Sequence, residues 1–240
     1  LKGSGVLSQN AKLKPIYLLA DSRPLFWVDN GTPFLSGIRD QVDSETPRAA
    51  YIGASNRDRP EFYSIFQAAM EQVAITNCNM IPSALSAEDR SCLLAADIVL
   101  LSGGDVALGW TAMQENGLGE SIIASFNSGA VLIGVSAGAV QLGQVGWSQG
   151  DGSPTDVFPT LGLVPYVISA HQEDQDWEDL KKLVQFLGEG TRGIGIPTGG
   201  AAIYHPDHTL QPLRHLLHEF QAKDSEIASS ILIPGDQRRE

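Results

Sequence analysis

Ile133-Gly134-Val135-Ser136-Ala137-Gly138-Ala139 lies straight after an apolar run and straight before a helical pattern. A serine between two glycines at the G-x-S-x-G spacing, in that context, predicts a nucleophile elbow: a strand ends, the chain turns sharply, and a helix begins with the hydroxyl held out at the tip. Glycines on both flanks remove Cβ atoms that would collide in so tight a turn. The helix that follows aims its first N–H groups at whatever the serine attacks.

Outward from this stretch, short apolar runs alternate with longer amphipathic segments, the signature of an α/β fold with crossover helices. Strands are expected over residues 15–20, 48–54, 73–79, 98–102 and 131–135. Helices are expected over about 61–73, 106–116, 120–128, 136–142 and 176–188, the last with Trp177, Leu180, Leu183, Val184 and Leu187 at helical spacing. Ser86 followed by Asp89 predicts a capping box on a further helix through Ala95. Residues 146–160 read as a polar Gly/Ser/Pro/Asp loop. From Gly193 on, residues 194–196, 201–204 and 229–233 suggest short strands and hairpins, with a turn at His205-Pro206-Asp207. The expectation is one α/β domain over 15–240 with a C-terminal β-rich extension, preceded by an N-terminal extension over 1–14. In such a sheet the site lies beyond the carboxyl ends of the strands, where Ser136, the Gly103-Gly104-Asp105 turn, the Ser55 loop and the Asp21/Arg23 loop all fall.

The 240 residues carry a formal net charge of -12, which argues against nucleic acid and against an anionic membrane surface as partners. Cys78 and Cys92 have neither metal-ligand nor C-x-x-C spacing and read as buried thiols of a reducing compartment. With no apolar run of membrane-spanning length and no charged-then-apolar leader, a cytoplasmic enzyme is the expectation.

A serine hydroxyl needs a base to take its proton and a third group to orient that base. Of the five histidines, His171 follows the apolar run 161–168 and stands where a strand ends, on the same rim as Ser136. His205, His208, His215 and His218 form two H-x-x-H pairs without a helical H-E-x-x-H frame, and read as turn and strand residues rather than zinc ligands. Asp151, in the polar loop between nucleophile and base, is the first candidate for the orienting acid, and Asp156 is the alternative. Ala137 follows the nucleophile and offers an oxyanion N–H; the Ser102-Gly103-Gly104-Asp105 turn offers another. Neither G-x-x-x-x-G-K-S/T nor G-x-G-x-x-G is present, so the glycine pair is not read as a nucleotide cradle.

Four segments in order resemble one family. They are 100–105 (LLSGGD), 134–139 (GVSAGA), 161–166 (LGLVPY) leading to His171, and 193–196 (GIGI) leading to Ala201-Ala202. The chain resembles the serine peptidases that include dipeptidase E (aspartyl dipeptidase) and cyanophycinase, in the class I glutamine-amidotransferase-like superfamily. That resemblance implies a flavodoxin-like three-layer fold with a mainly parallel central sheet. It implies Ser136 as nucleophile, His171 as base, Asp151 as acid, and Gly104 with Ala137 as oxyanion hole. Asp156 lies nearer the acid position of the cyanophycinase branch.

Two departures stand out. Members that cleave after acidic residues carry an arginine after the catalytic histidine; here residues 172–179 read QEDQDWED, acidic until Lys181. Where members often have an acidic pair after the Gly-Ile-Gly strand, this chain has Pro197-Thr198-Gly199-Gly200. The five carboxylates between His171 and Lys181 suggest either a rim that attracts a substrate amine or basic side chain, or simple helix N-terminal carboxylates.

The expected activity is cofactor-free and metal-free hydrolysis of small peptides through an acyl-enzyme, by a monomer or homodimer. The rivals are an α/β-hydrolase esterase and a non-catalytic amidotransferase-like binding domain. An esterase of that fold brings its acid and histidine from nearer the chain end than the 136–171 interval used here.

Overall fold

The computed structural model describes residues 13–148, 157–224 and 226–235. Among these lies a central sheet of seven strands. Its strands are β1 (Ile16–Leu19), β4 (Arg48–Ile52), β5 (Asn77–Ile81), β6 (Ile98–Leu101), β7 (Val131–Val135), β12 (Ala201–Tyr204) and β13 (Leu210–Leu213), in the order β13-β12-β1-β7-β6-β4-β5. From β1 to β5 across the sheet every pairing is parallel, while β12 and β13 add an antiparallel edge. This is the mainly parallel α/β sheet expected from the sequence.

The inner strands β1, β4, β6 and β7 read as nearly unbroken apolar runs because there the sheet is buried on both faces. Tyr17, Leu19, Tyr51, Leu100, Ile133 and Val135 face α1 (Phe34–Arg39) and α2 (Pro60–Glu71), meeting Leu35, Ile38, Phe66 and Met70. Their alternates Ile16, Leu18, Ile52, Val99, Leu101 and Leu132 face the other way. There they pack against α3 (Ala87–Leu94), α4 (Val106–Glu115), α5 (Leu118–Asn127) and α6 (Ala137–Leu142) through Leu93, Met113, Ile122, Ala139 and Leu142. The α3 N-terminus carries the predicted capping box: Ser86 Oγ accepts from the Asp89 N–H at 3.1 Å, and the Asp89 carboxylate accepts from the Ser86 N–H at 3.1 Å.

A second sheet, of order β10-β11-β14-β15, comprises β10 (Val167–Ala170), β11 (Arg192–Ile196), β14 (Leu217–Lys223) and β15 (Glu226–Leu232). Its inner face adds Ile168, Ala170, Ile194, Ile196 and Leu217 to the main core. Its outer face is covered by α7 (Glu178–Leu187), whose Leu180, Leu183 and Val184 join Trp177, Val167 and Phe220. The alternation in Gly193-Ile194-Gly195-Ile196 follows from this. The isoleucines face inward, and a Cβ at Gly195 would stand 2.6 Å from the Trp177 ring, one at Gly193 2.5 Å from Val184.

Three expectations need correction. The strand predicted over 73–79 is β5 at Asn77–Ile81, because α2 ends in a left-handed turn at Ala74, with Ile75 N–H donating to Met70 O and Ala74 N–H to Glu71 O. Val73 and Ile75 therefore belong to the helix terminus. The loop predicted over 146–160 contains a two-stranded pair, β8 (Val145–Trp147) with β9 (Val157–Pro159), whose Phe158 ring stacks on Trp110 at 6.5 Å between centroids. The C-terminal strands do not form one extension: β12 and β13 complete the central sheet, while β11, β14 and β15 build the second. A short hairpin, β2 (Val28–Asp29) with β3 (Thr32–Pro33), and short 3-10 turns such as Arg23–Phe26, Ala54–Asn56 and Glu173–Gln175 complete the described elements.

Candidate active site

Ser136 leaves the carboxyl end of β7 with φ 49° and ψ -109°, a conformation that costs a non-glycine residue about 1–3 kcal/mol. The surroundings hold it there. Its N–H donates to Leu19 O of β1 at 2.9 Å, and its carbonyl accepts from the N–H groups of Ala139 and Val140, opening α6. The flanking glycines are sterically required: a Cβ on Gly138 would lie 2.2 Å from Leu101 O, and one on Gly134 would lie 2.7 Å from the Ala139 backbone. This is the turn that the G-x-S-x-G spacing predicts.

His171 comes from the other sheet. It follows β10, takes φ 47°, and donates its N–H to Ile196 O of β11 at 2.9 Å. Its Nε2 lies 2.8 Å from Ser136 Oγ. Two residues 35 positions apart, each at a strand end and each pinned by a backbone bond to the neighbouring strand, thus meet above the sheet edge. Ser136 is half-buried and His171 exposed, so a substrate has access to both.

The turn after β6 stands beside them. Gly104 has φ 141°, and a Cβ there would lie 2.0 Å from Ser55 O, so only glycine fits. Asp105 locks the turn: its N–H donates to Ser55 O at 2.8 Å and its carboxylate caps α4 by accepting from Leu108 N–H at 2.9 Å. Among the described residues neither the Gly104 nor the Ala137 N–H donates to another backbone group. Beneath the turn, fully buried Gln141 of α6 donates to Ser55 Oγ and Val106 O, both at 3.0 Å. That buried amide joins the elbow helix to the turn at Gly103-Gly104. Sequence reasoning missed it, although an uncharged polar residue inside the apolar face of α6 was the available signal.

Asp151 and Asp156, the two candidate acids, lie outside the described residues. Among the described residues Glu173 is a carboxylate whose charge is felt by His171. Its Oε1 accepts from the Thr198 N–H at 2.9 Å, and its Oε2 is buried without a hydrogen-bond partner. Burial works to raise this carboxyl, but the Thr198 bond and the nearby His171 outweigh it and hold it below the ordinary carboxylate range. It thus places a negative charge at the Pro197-Thr198-Gly199-Gly200 turn. The other rim carboxylates differ: Asp176 pairs with Lys181 at 2.6 Å and Glu178 with Lys182 at 2.9 Å.

A cavity of about 270 Å³ opens beside Ser136, reaching Ala20, Asp21 and Ser22 after β1, Asn56 after β4 and Ser102-Gly103-Gly104 after β6. It lies at the switch in strand order, since the connection after β4 crosses one face and that after β6 the other. The predicted Asp21 and Gly103-Gly104 positions therefore converge, while Ser55 supports the turn from behind. A larger hollow, about 650 Å³, lies at the opposite rim around Lys14, Asp97 and Gly129 and contains none of these groups. The four remaining histidines stand apart from this site: His205 Nε2 pairs with Gln211 at 2.9 Å, His208 Nδ1 with Tyr204 at 2.7 Å, and His218 stacks on Phe220, while His215 lies near Gly199.

The fold is shared with solved peptidases. A peptidase from an acI-B1 Actinobacterium superposes with a TM-score of 0.69 at 17% identity, covering 95% of this chain and 97% of that one. A putative peptidase E protein from Listeria monocytogenes EGD-e gives 0.61 at 16% identity, covering 85% and 100%. No curated protein sequence matches the chain. The model of Peptidase family S51 matches residues 29–212, from the β2–β3 hairpin to β13, and spans both strand ends that carry the serine and the histidine. The chain belongs to peptidase family S51, the dipeptidase E family, and is a serine-type peptidase.

Proposed function

We propose that this peptidase hydrolyses small peptides through an acyl-enzyme formed on Ser136. The observation that carries this reading is the 2.8 Å contact between Ser136 Oγ and His171 Nε2. His171 takes the hydroxyl proton as Oγ bonds to the scissile carbonyl carbon. The carbonyl oxygen gains the negative charge and is met by the N–H groups of Gly104 and Ala137, already fixed in place before the reaction. When the C–N bond breaks, His171 returns the proton to the leaving nitrogen. Water then repeats the sequence on the acyl group, restoring the free serine. Asp151 orients the imidazole in this reading, with Asp156 as its alternative.

Replacing Ser136 with alanine is expected to lower kcat on a cleaved dipeptide by about 10⁴-fold or more, because the serine and its base act as a unit. The variant keeps the circular dichroism and melting temperature of the parent within a few degrees. Near-normal turnover by the pure variant would remove the assignment.

A further inference from the structure

We propose that the cavity beside Ser136 receives the side chain of the residue whose carbonyl is attacked, and that the enzyme selects peptides with a large apolar or aromatic residue there. This rests on the acyl-enzyme reading above and adds to it the substrate class. Leu25, Tyr51, Phe62, Ile65, Phe66 and Leu100 line the cavity. Leu25, Tyr51, Phe66 and Leu100 belong to the core beneath it, whereas Phe62 and Ile65 of α2 are 42% and 39% exposed. Two large apolar side chains thus face solvent at the mouth of a hollow that already touches the nucleophile.

The charged groups decide the class. Among the described residues no lysine or arginine lines the cavity. Its ionisable groups are Asp21, His171 and Tyr51. The Asp21 carboxylate accepts from the Gly199 N–H and the Arg23 N–H, both at 2.8 Å. The Tyr51 phenol is held neutral by burial, even though it accepts from Asn56 at 2.7 Å. An acidic substrate side chain would lose its water and face Asp21, whose carboxylate already takes up the nearby Arg23 guanidinium at 3.9 Å. An apolar side chain sheds its hydration favourably against the Phe62, Ile65 and Phe66 walls. A volume of about 270 Å³ leaves room for an aromatic ring.

Geometry assigns the cavity to the acyl side. It lies against α2, on one face of the central sheet, while His171 reaches Ser136 from β10, which packs on the opposite face. The leaving nitrogen must lie toward His171, which protonates it. The acyl residue therefore extends away from the second sheet, toward α2.

The test is kcat/KM for the dipeptides Phe-Ala, Leu-Ala, Asp-Ala, Lys-Ala, Ala-Ala and Ala-Phe, with Ser136→Ala as the blank. Phe-Ala and Leu-Ala are expected to exceed Asp-Ala and Lys-Ala by about tenfold or more, since a hydrophobic slot discriminates by roughly that factor and upward. Phe62→Ala is expected to lower the value for Phe-Ala by about tenfold and that for Ala-Ala by a clearly smaller factor. A preference for Asp-Ala or Lys-Ala overturns the proposal. So does selection that follows only the second residue, or an equal fall on Phe-Ala and Ala-Ala in the variant. Protein that labels at Ser136 with a fluorophosphonate but cleaves none of these peptides also overturns it. Protein that neither labels nor cleaves overturns the acyl-enzyme reading itself.

Discussion

At the scale of single residues, the site consists of backbone positions forced into uncommon conformations by what surrounds them. Ser136 and His171 both have positive φ, and each is held by one N–H bond to the adjacent strand. Gly104 is the most constrained, with its missing Cβ 2.0 Å from Ser55 O. Gly104→Ala is therefore expected to push the turn off Ser55 and lower kcat by about 10²–10³-fold, the usual effect of losing one oxyanion donor. Steady-state kinetics on the best dipeptide checks it, and an unchanged kcat would show that the turn takes no part in the reaction. Glu173 gives a pH prediction. Its folded carboxyl ionises at lower pH than an ordinary one, so its contribution to stability is present above the ordinary carboxylate range and is lost as pH falls through the folded value. Melting temperatures from pH 7 down to 3 are expected to fall less steeply in Glu173→Gln than in the parent. A steeper fall in the variant would place the favourable contacts of Glu173 elsewhere.

At the scale of elements, the placing of α7 depends on the small residues beneath it. Gly195→Val would drive a branched side chain into the Trp177 ring, which stands 2.6 Å from the position of a Cβ. Overpacking of this kind costs about 1–3 kcal/mol. Since β11 also accepts the His171 N–H through Ile196 O, the expected outcome is a lower melting temperature together with a fall in kcat. A variant with both values unchanged would mean that α7 does not brace the base. The legibility of the sequence follows the same division. The elbow, the capping box of α3 and the strand before His171 were readable because each is a local rule: a glycine spacing, a paired cap, an apolar run ending at a polar residue. Strand β5 was misplaced because Ala74 takes a left-handed turn that glycine usually marks. Strands β13 and β14 were unread, since the sequence Leu210-Gln211-Pro212-Leu213 holds a proline and Leu217 to Lys223 mixes charge with apolar residues. The roles of Gln141 and Glu173 depend on partners 86 and 25 positions away, which no local pattern encodes.

At the scale of the whole molecule, two sheets contribute one reactive group each. The central parallel sheet presents Ser136 and the Gly103-Gly104 turn at its carboxyl edge. The second sheet leans against α6 and carries His171 to the same point, and the cavity against α2 fills the opposite side. The arrangement explains how Ser136 and His171 can lie only 35 positions apart, on different sheets, and still meet. No helix among the described residues is long and apolar enough to cross a membrane. The most direct measurement is intact-mass spectrometry after exposure to a fluorophosphonate, followed by peptide mapping. A single adduct on Ser136 is expected, lost in Ser136→Ala and formed orders of magnitude more slowly in His171→Ala. An adduct on another residue, or equal labelling rates with and without His171, would contradict the pairing of that hydroxyl with that imidazole.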